Sequence, residues 1–348
     1  MRYSAGVTRA AWLGDFVPRV NARLDALFRD ERARAERTSP EARELVDAVA
    51  ELSLRGGKRL RAAVLHAGMR AIDGEADAAR AIDAGASLEL MQSYLLIQDD
   101  WMDQDDERRG GPSVHVALAR ARGDARLGAS LAILAGDIAC SIGWELLASA
   151  PFPAHRLREA LALYSAMHFD VVCGQQLDLL GHADVALTHK LKTGSYTVRG
   201  PLRLGSLLAD ANPAQLDALD RFGEPLGIAF QLRDDLLGAF GAHDAVGKPV
   251  GNDLRAGKRT SLAAEAQAAL TGADRALFER VFGNAAATDA DVRRVTDALG
   301  ASGVRARVEA RIAQAETDAR AVLAAAPFAQ AGKDMLADLA DLLTKRDR

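Results

Sequence analysis

Apolar side chains in this chain recur at steps of three and four residues, as in Leu88, Met91, Leu95 and Leu96, the period of a helix that buries one face. The same period runs through residues 11–36, 40–54, 61–69, 79–98, 113–122, 126–149, 154–180, 188–208, 213–240 and 289–344. No strand-like alternation of five residues competes with it, and no repeat of fixed length is present. Breaks fall where glycine and proline cluster, at Arg55-Gly56-Gly57, Gly110-Gly111-Pro112, Pro151-Phe152-Pro153, 241–258 and 300–303. The expected fold is all-α, a large antiparallel helical bundle forming a single domain over 1–348. About ten helical segments in one core leave room for a deep central cavity between facing helices.

Composition narrows the function classes. Hydrophobic residues make up 49% of the 348, enough for a large core, which excludes wholesale disorder. With 44 basic against 48 acidic residues the formal charge is −4, so no global positive field exists to hold nucleic acid or an anionic membrane, and an anionic ligand has to be held locally. Two cysteines, Cys140 and Cys173, cannot build a disulfide framework or a thiolate metal site; both are expected in the core of a cytoplasmic protein. Residues 1–16 make a poor secretory signal, and no run of about 18 apolar residues calls for stable membrane insertion.

The chemistry is concentrated where apolar helices run into carboxylates. Leu95-Leu96-Ile97-Gln98-Asp99-Asp100-Trp101-Met102-Asp103 sets Asp99 and Asp103 four residues apart, on one helical face and one turn from each other, close enough to share a divalent cation. A ligand-free acidic helix terminus accounts for one such motif equally well. A second pair, Asp234-Asp235, follows the apolar stretch Phe230-Gln231-Leu232 in the same way, so two acidic helix faces can oppose each other. Carboxylate oxygens are hard ligands, and with no His or Cys in either cluster they select Mg²⁺ over Zn²⁺. Mg²⁺ takes few protein ligands and favours phosphate oxygens, which points to a diphosphate substrate.

Cations lie beside these pairs. Gly56-Gly57-Lys58-Arg59-Leu60-Arg61 sets Lys58 and Arg61 at a helix start after glycines that let backbone approach an anion. Arg108-Arg109-Gly110-Gly111 follows the first acidic motif, Lys192-Thr193 lies mid-chain on a helix, and Gly247-Lys248 and Gly257-Lys258 follow the second. Trp101 is expected to pack on a neighbouring helix, and His115 and His168 to be structural. Gln175 and Asp178 are either partners of ligating groups or packing polar residues. The basic tail 345–348 is expected to be solvated.

Together these motifs resemble the all-trans polyprenyl diphosphate synthases, the isoprenoid chain-elongating prenyltransferases. The resemblance covers roughly residues 55–260 and rests on 56–61, on 99–115 (DDWMDQDDERRGGPSVH), on Gly174-Gln175-Gln176-Leu177-Asp178, on Lys192-Thr193-Gly194-Ser195-Tyr196 and on 230–260. It implies an all-α bundle around a deep cavity, a Mg²⁺ cofactor and a homodimer. The implied substrates are isopentenyl diphosphate and an allylic diphosphate such as dimethylallyl, geranyl or farnesyl diphosphate.

Residue by residue, the resemblance implies that Asp99 and Asp103 bind metal from one wall and Asp234 from the other, with Asp100 and Asp235 acting through metal-bound water. Arg108, Lys192 and Lys258 would hold the allylic diphosphate, with Gln231 and Lys248 beside it. Lys58, Arg61, Gln92 and Arg109 would hold that of isopentenyl diphosphate. The carbonyl region of Lys192 and Thr193, with Gln231, would present dipoles to the allylic cation. One departure stands out: the last Asp expected in the second motif is Gly238. A short-chain synthase making geranylgeranyl (C20) or farnesyl (C15) diphosphate is the leading reading. A class I terpene cyclase, which binds one diphosphate and has no use for Lys58, Arg61 and Arg109, is the alternative, and Gly238 keeps a non-catalytic subunit of a heteromeric synthase open.

Product length is set along the helix before Asp99. Leu95, Tyr94 and Met91 precede it by four, five and eight residues, and at about 1.5 Å per residue Tyr94 lies roughly 7.5 Å below Asp99. Its ring is the largest and is read as the cavity floor, the alternative being that Tyr94 packs between helices and the floor lies elsewhere. The resemblance implies that a C15 synthase carries two adjacent aromatics here or two extra residues in the first acidic motif; with one aromatic and no insertion in this chain, C20 is favoured over C15. Replacing Asp99 or Asp234 by Ala is expected to lower turnover by several orders of magnitude, and near-normal steady-state rates in both variants would contradict the site. Gly238→Asp is expected to be mild or favourable.

Overall fold

A computed structural model describes residues 11–240 and 251–345. It is an all-α protein. Helix α1 (Ala11–Glu36) buries Leu13, Phe16, Val20, Leu24, Leu27 and Phe28, a three-and-four stripe. Ser39 caps α2 (Pro40–Leu54) by accepting from the Ala42 N–H, and Pro40 takes a first-turn position where no N–H is needed. Helices α3 (Leu60–Ile72) and α4 (Ala78–Met102) follow. Every residue of α4 from Ala84 to Ser93 is buried, so this helix has no solvent face and must be the axis around which others pack. It is surrounded by α3, α1, α2, α5 (Val114–Arg122) and α6 (Ala125–Ala148).

The chain continues through α7 (Ala154–Leu179), α8 (Val185–His189), a π-helical segment (Lys190–Arg199), α9 (Gly200–Leu208) and α10 (Pro213–Phe240). Beyond the undescribed residues lie α11 (Asn252–Arg255), α12 (Ser261–Ala269), α13 (Gly272–Val281), α14 (Asp289–Ala301), α15 (Val304–Ala325) and α16 (Gln330–Thr344). Three apolar clusters form the core, one around α1, α2, α4, α6 and α7, one joining α3, α9, α10 and α16, and one holding α10 to α12–α15.

Departures from the periodicity have local causes. The segment 188–208 is not one helix. The Gly200 N–H bonds to Ser195 O, five residues back, and Pro201 contributes no N–H to an α ladder, so the turn before it widens to π. The segment 289–344 breaks at Gly303, whose φ is 75°, and again before α16. Helix α12, short and alanine-rich, carries too few large apolar side chains to show a period, and in α13 the buried Leu277, Phe278 and Val281 span little more than one turn; Thr260 announces α12 by capping the Ala263 N–H. A two-residue ribbon, β1 (Glu107–Arg108) with β2 (Gly111–Pro112), is too short to alternate.

Three smaller expectations are corrected. Cys140 and Cys173 are half-buried free thiols. Trp101 is 38% exposed, because α4 emerges from the bundle at its acidic end. Helix α6 is long and apolar enough by composition to cross a bilayer, with mean hydropathy 1.6, but one face packs into the core while Leu127, Ile133 and Leu134 face outward.

His66 on α3 stacks on Phe16 at 4.6 Å and meets the edge of Trp12 at 6.0 Å, pinning α1 to the bundle. Burial first, then Arg70 and Arg19, pulls its pKa down to about 4. The folded imidazole therefore resists a proton that the unfolded one accepts near 6.5. Stability from this group is whole above about pH 6.5 and is lost as pH falls toward 4, by about 2 kcal/mol at pH 5. Urea midpoints at pH 7 and 5 should converge in His66→Phe relative to the parent; equal losses in both proteins would rule His66 out as the source.

Candidate active site

The site is built at the C-terminal end of α4, where the helix dipole is already negative and Asp99, Asp100 and Asp103 add three carboxylates. Cations from three other segments meet them. Lys192 Nζ lies 3.2 Å from Asp99 Oδ1 and 2.5 Å from Asp178 Oδ2. Lys258 Nζ donates to Asp103 Oδ2 at 2.6 Å. Arg108 binds Asp100 through both Nε, at 2.7 Å, and Nη2, and its Nη2 lies 3.6 Å from Asp99. Burial alone would raise the Asp99 carboxyl, but Lys192, Lys258 and Arg108 outweigh it and hold it below the usual carboxylate range. Burial likewise works against the charge on Lys192 and Lys258, and their carboxylate partners hold both above the ordinary lysine value.

Lys192 reaches this position from the π segment. Gly174 on α7 allows the approach, since a Cβ there would overlap the Lys192 backbone. Thr193, beside it, is half-buried. Of the residues left ambiguous by sequence, Asp178 is the second partner of Lys192, whereas Gln175 Nε2 touches Met102 Sδ at 3.7 Å.

The second acidic pair lies on α10. Asp234 is half-buried, and Asp235 is buried, accepting from Gln231 Nε2 at 2.8 Å and from the Ser261 N–H at 3.0 Å. Burial lifts the Asp235 carboxyl to about 7 against those hydrogen bonds, and nearby Asp253 adds to the rise. Lys248 lies outside the described residues.

Asp253, missed by the motif reading, explains Gly238. A Cβ on residue 238 would overlap the Asp253 carboxylate, whose Cγ lies 3.0 Å from that point. The space of the absent side chain thus holds an acid from α11, which also acts on Lys258. Its signal in the sequence is weak, a lone Asp five residues before Lys258.

A second cation cluster lies beside the first. Arg59 is buried against Glu89 at 3.6 Å, with 2% and 4% of the side chains exposed, and donates to Asn21 Oδ1 and Ser53 O. This arginine anchors the loop. Arg61 stacks 4.3 Å over the Tyr196 ring and donates to Thr197 Oγ1, while Tyr196 OH donates to Gln92 Oε1 at 2.9 Å. Lys58 is half-buried beside them in sequence. Arg109 and Gly110 are the two left-handed residues of a tight hairpin turn, with φ of 53° and 73°. The Arg109 guanidinium donates to Leu52 O and Gly56 O. Burial, with Arg59, Arg61 and Arg108 nearby and Glu89 opposing them, pulls it down to about 10, so it remains a cation at neutral pH in a pocket short of anions.

Of the length-determining candidates, Met91 is buried, Leu95 is half-buried, and Tyr94 meets the His168 ring edge-on at 5.1 Å while lying beside Gly136 of α6. His168 is thus an aromatic partner, and His115 Nδ1 pairs with Ser113 Oγ at 3.2 Å.

The donor set fits a hard cation. Asp99 and Asp103 offer oxygens at the C-terminal end of α4, and a phosphate-bound Mg²⁺ needs only one or two protein carboxylates. Among the described residues no group of three His, Cys, Asp or Glu side chains is close enough to hold an ion by itself.

Residues 42–299 match the family model for polyprenyl synthetase. The geranylfarnesyl diphosphate synthase of Aeropyrum pernix is 32% identical over 84% of this chain and 91% of its own length. The geranylgeranyl diphosphate synthase of Mycobacterium tuberculosis is 32% identical over 84% of this chain and 80% of its own. Among solved structures, a geranylgeranyl pyrophosphate synthase from Corynebacterium glutamicum, complexed with isoprenyl diphosphate and magnesium, superposes with a TM-score of 0.89 at 34% identity. That alignment covers 96% of this chain and 99% of the other.

The geometry reverses one expectation from sequence. Gly238→Asp must push a carboxylate out of a space that Asp253 already fills, so a gain is not expected; overpacking of this kind should lower turnover about tenfold. Gly238→Ala, which adds a methyl and no charge, should do the same in steady-state assays. A fully active Gly238→Asp protein would mean that Asp253 moves aside freely.

Proposed function

Because the chain belongs to the polyprenyl synthetase family, we propose that it is a Mg²⁺-dependent trans-prenyltransferase joining isopentenyl diphosphate to an allylic diphosphate, with a C20 product favoured over C15. The observation that carries this reading is the pairing of Asp99 and Asp103 each with a lysine from a distant segment, Lys192 and Lys258. Ammonium groups already poised over carboxylates can turn to phosphate oxygens when a metal–diphosphate takes their place.

In this reading Asp99 and Asp103 hold metal from α4 and Asp234 from α10, while Asp100, gripped by Arg108, and Asp235, gripped by Gln231, act behind them. When bound, Mg²⁺ supplies positive charge to neutralise the departing diphosphate. Lys192, Lys258 and Arg108 donate to the same oxygens, with Lys248 and Gln231 beside them. Lys58, Arg61, Gln92 and Arg109 hold the diphosphate of the second substrate. The allylic C–O bond breaks, the isopentenyl double bond forms the new C–C bond, and a proton leaves to the released diphosphate. Carbonyl dipoles at Lys192 and Thr193, with Gln231, face the cation in between, so no protein nucleophile is required. The reading extends to one domain over 1–348 working in the cytoplasm as a homodimer, for which Leu127, Ile133 and Leu134 of α6 offer an apolar contact face.

Incubation with dimethylallyl and isopentenyl diphosphates and Mg²⁺ tests it. Labelled isopentenyl units should enter the product; a hydrocarbon formed without them would favour the cyclase, and an inert isolated chain the non-catalytic subunit. Product length is tested at Tyr94, read as the floor from its position five residues before Asp99. Tyr94→Ala should lengthen the main product by at least one C5 unit, and an unchanged chromatographic length distribution would move the floor elsewhere.

A further inference from the structure

Arg108 and Arg109 are carried by a ribbon of two residues per strand, which cannot hold its own position. Its support comes from the end of α2. Arg55, the residue after that helix, sends its guanidinium beneath the ribbon, where Nη1 donates to Arg108 O at 2.9 Å and to Pro112 O at 2.8 Å. One carbonyl belongs to each strand, so a single rigid group ties both. Nη2 is held in turn by Glu51 Oε1 at 2.6 Å, and only 17% of the Arg55 side chain is exposed. Gly111 makes the arrangement possible: a Cβ there would lie 2.6 Å from Arg55 Cζ and Nη1 and 2.9 Å from Nε. In the other direction, Arg109 donates to Leu52 O and Gly56 O, stitching the turn back to the same end of α2.

We propose that Arg55 is a positioning residue that, with Gly111, sets Arg108 and Arg109 and thereby fixes the distance between the two diphosphate subsites; the inference rests on the function proposed above. Arg108 faces the acidic end of α4, and Arg109 faces Arg59 and Arg61. The backbone between them is one peptide link, so the clamp on it governs both. A lysine at 55 would offer a point charge without the planar fork and would serve the two carbonyls poorly.

The test uses Arg55→Ala, Arg55→Lys and Gly111→Ala in the full chain. Loss of these charged hydrogen bonds should raise the KM for isopentenyl diphosphate about tenfold in Arg55→Ala, with kcat falling less and Arg55→Lys intermediate. Gly111→Ala should reproduce the KM change with Arg55 still present. The double variant should be no worse than Arg55→Ala, because the added methyl enters the space the guanidinium has left. Amide hydrogen exchange across 107–112 should accelerate in both single variants, and binding of inorganic diphosphate, followed by calorimetry, should weaken. Unchanged KM and unchanged ribbon exchange in Arg55→Ala, or fully additive effects in the double variant, would overturn the proposal. Should Arg55→Ala fail to fold, Gly111→Ala decides by the same readouts. A parent protein that transfers no isopentenyl unit would sink the function reading alone, since ribbon exchange and diphosphate binding report the clamp without turnover.

Discussion

A helix that ends in Asp99, Asp100 and Asp103 stores repulsion that the rest of the molecule has to answer. Like charges on successive turns, about 5–6 Å apart, repel by roughly 3 kcal/mol at an effective dielectric near 20, and the helix C-terminus adds to the cost. In the folded protein the answer comes from Arg108, Lys192 and Lys258, which are close in space and far apart in the chain. Each is drawn out of water to reach its partner, and each remains charged because the carboxylates outweigh burial. This mutual neutralisation ties α4 to the π segment, to the loop before α12 and to the short ribbon.

Backbone irregularities sit at the same place. Pro201 prevents a regular α ladder through 188–208, and the π segment before it carries Lys192, whose ammonium meets Asp99 and Asp178. Arg59 and Arg109 both adopt left-handed backbone, each flanking a cation cluster that Glu89 opposes from within. Strain of this kind persists only where surrounding contacts over-determine it, and here Arg59 is locked by Glu89, Asn21 and Ser53.

The fold class and the long helices were legible because periodicity reports burial directly, and α1 ends, and α2 begins and ends, where the pattern does. Helix α12 was illegible because alanine contributes little to any pattern, α13 because its apolar residues span little more than one turn, and the ribbon because two residues cannot alternate. In the site, the acidic pairs and basic clusters were readable from spacing and charge. The parts played by Asp253, Arg55 and Arg59 were not, since a charged residue in a loop looks the same whether it is solvated or buried against a partner.

By itself the sequence determined that the chain is a helical bundle, that one helix ends in carboxylates while a second carries an acidic pair, and that cations stand near each in the chain. These are local properties, carried by residue type and interval. Tertiary structure decided which cation meets which carboxylate, and that a glycine at 238 leaves room for the acid of Asp253. It also decided that Gly111 admits the guanidinium of Arg55. Those outcomes depend on where separate helices cross and how closely backbones approach, quantities set by the packing of the whole core and written in no single segment.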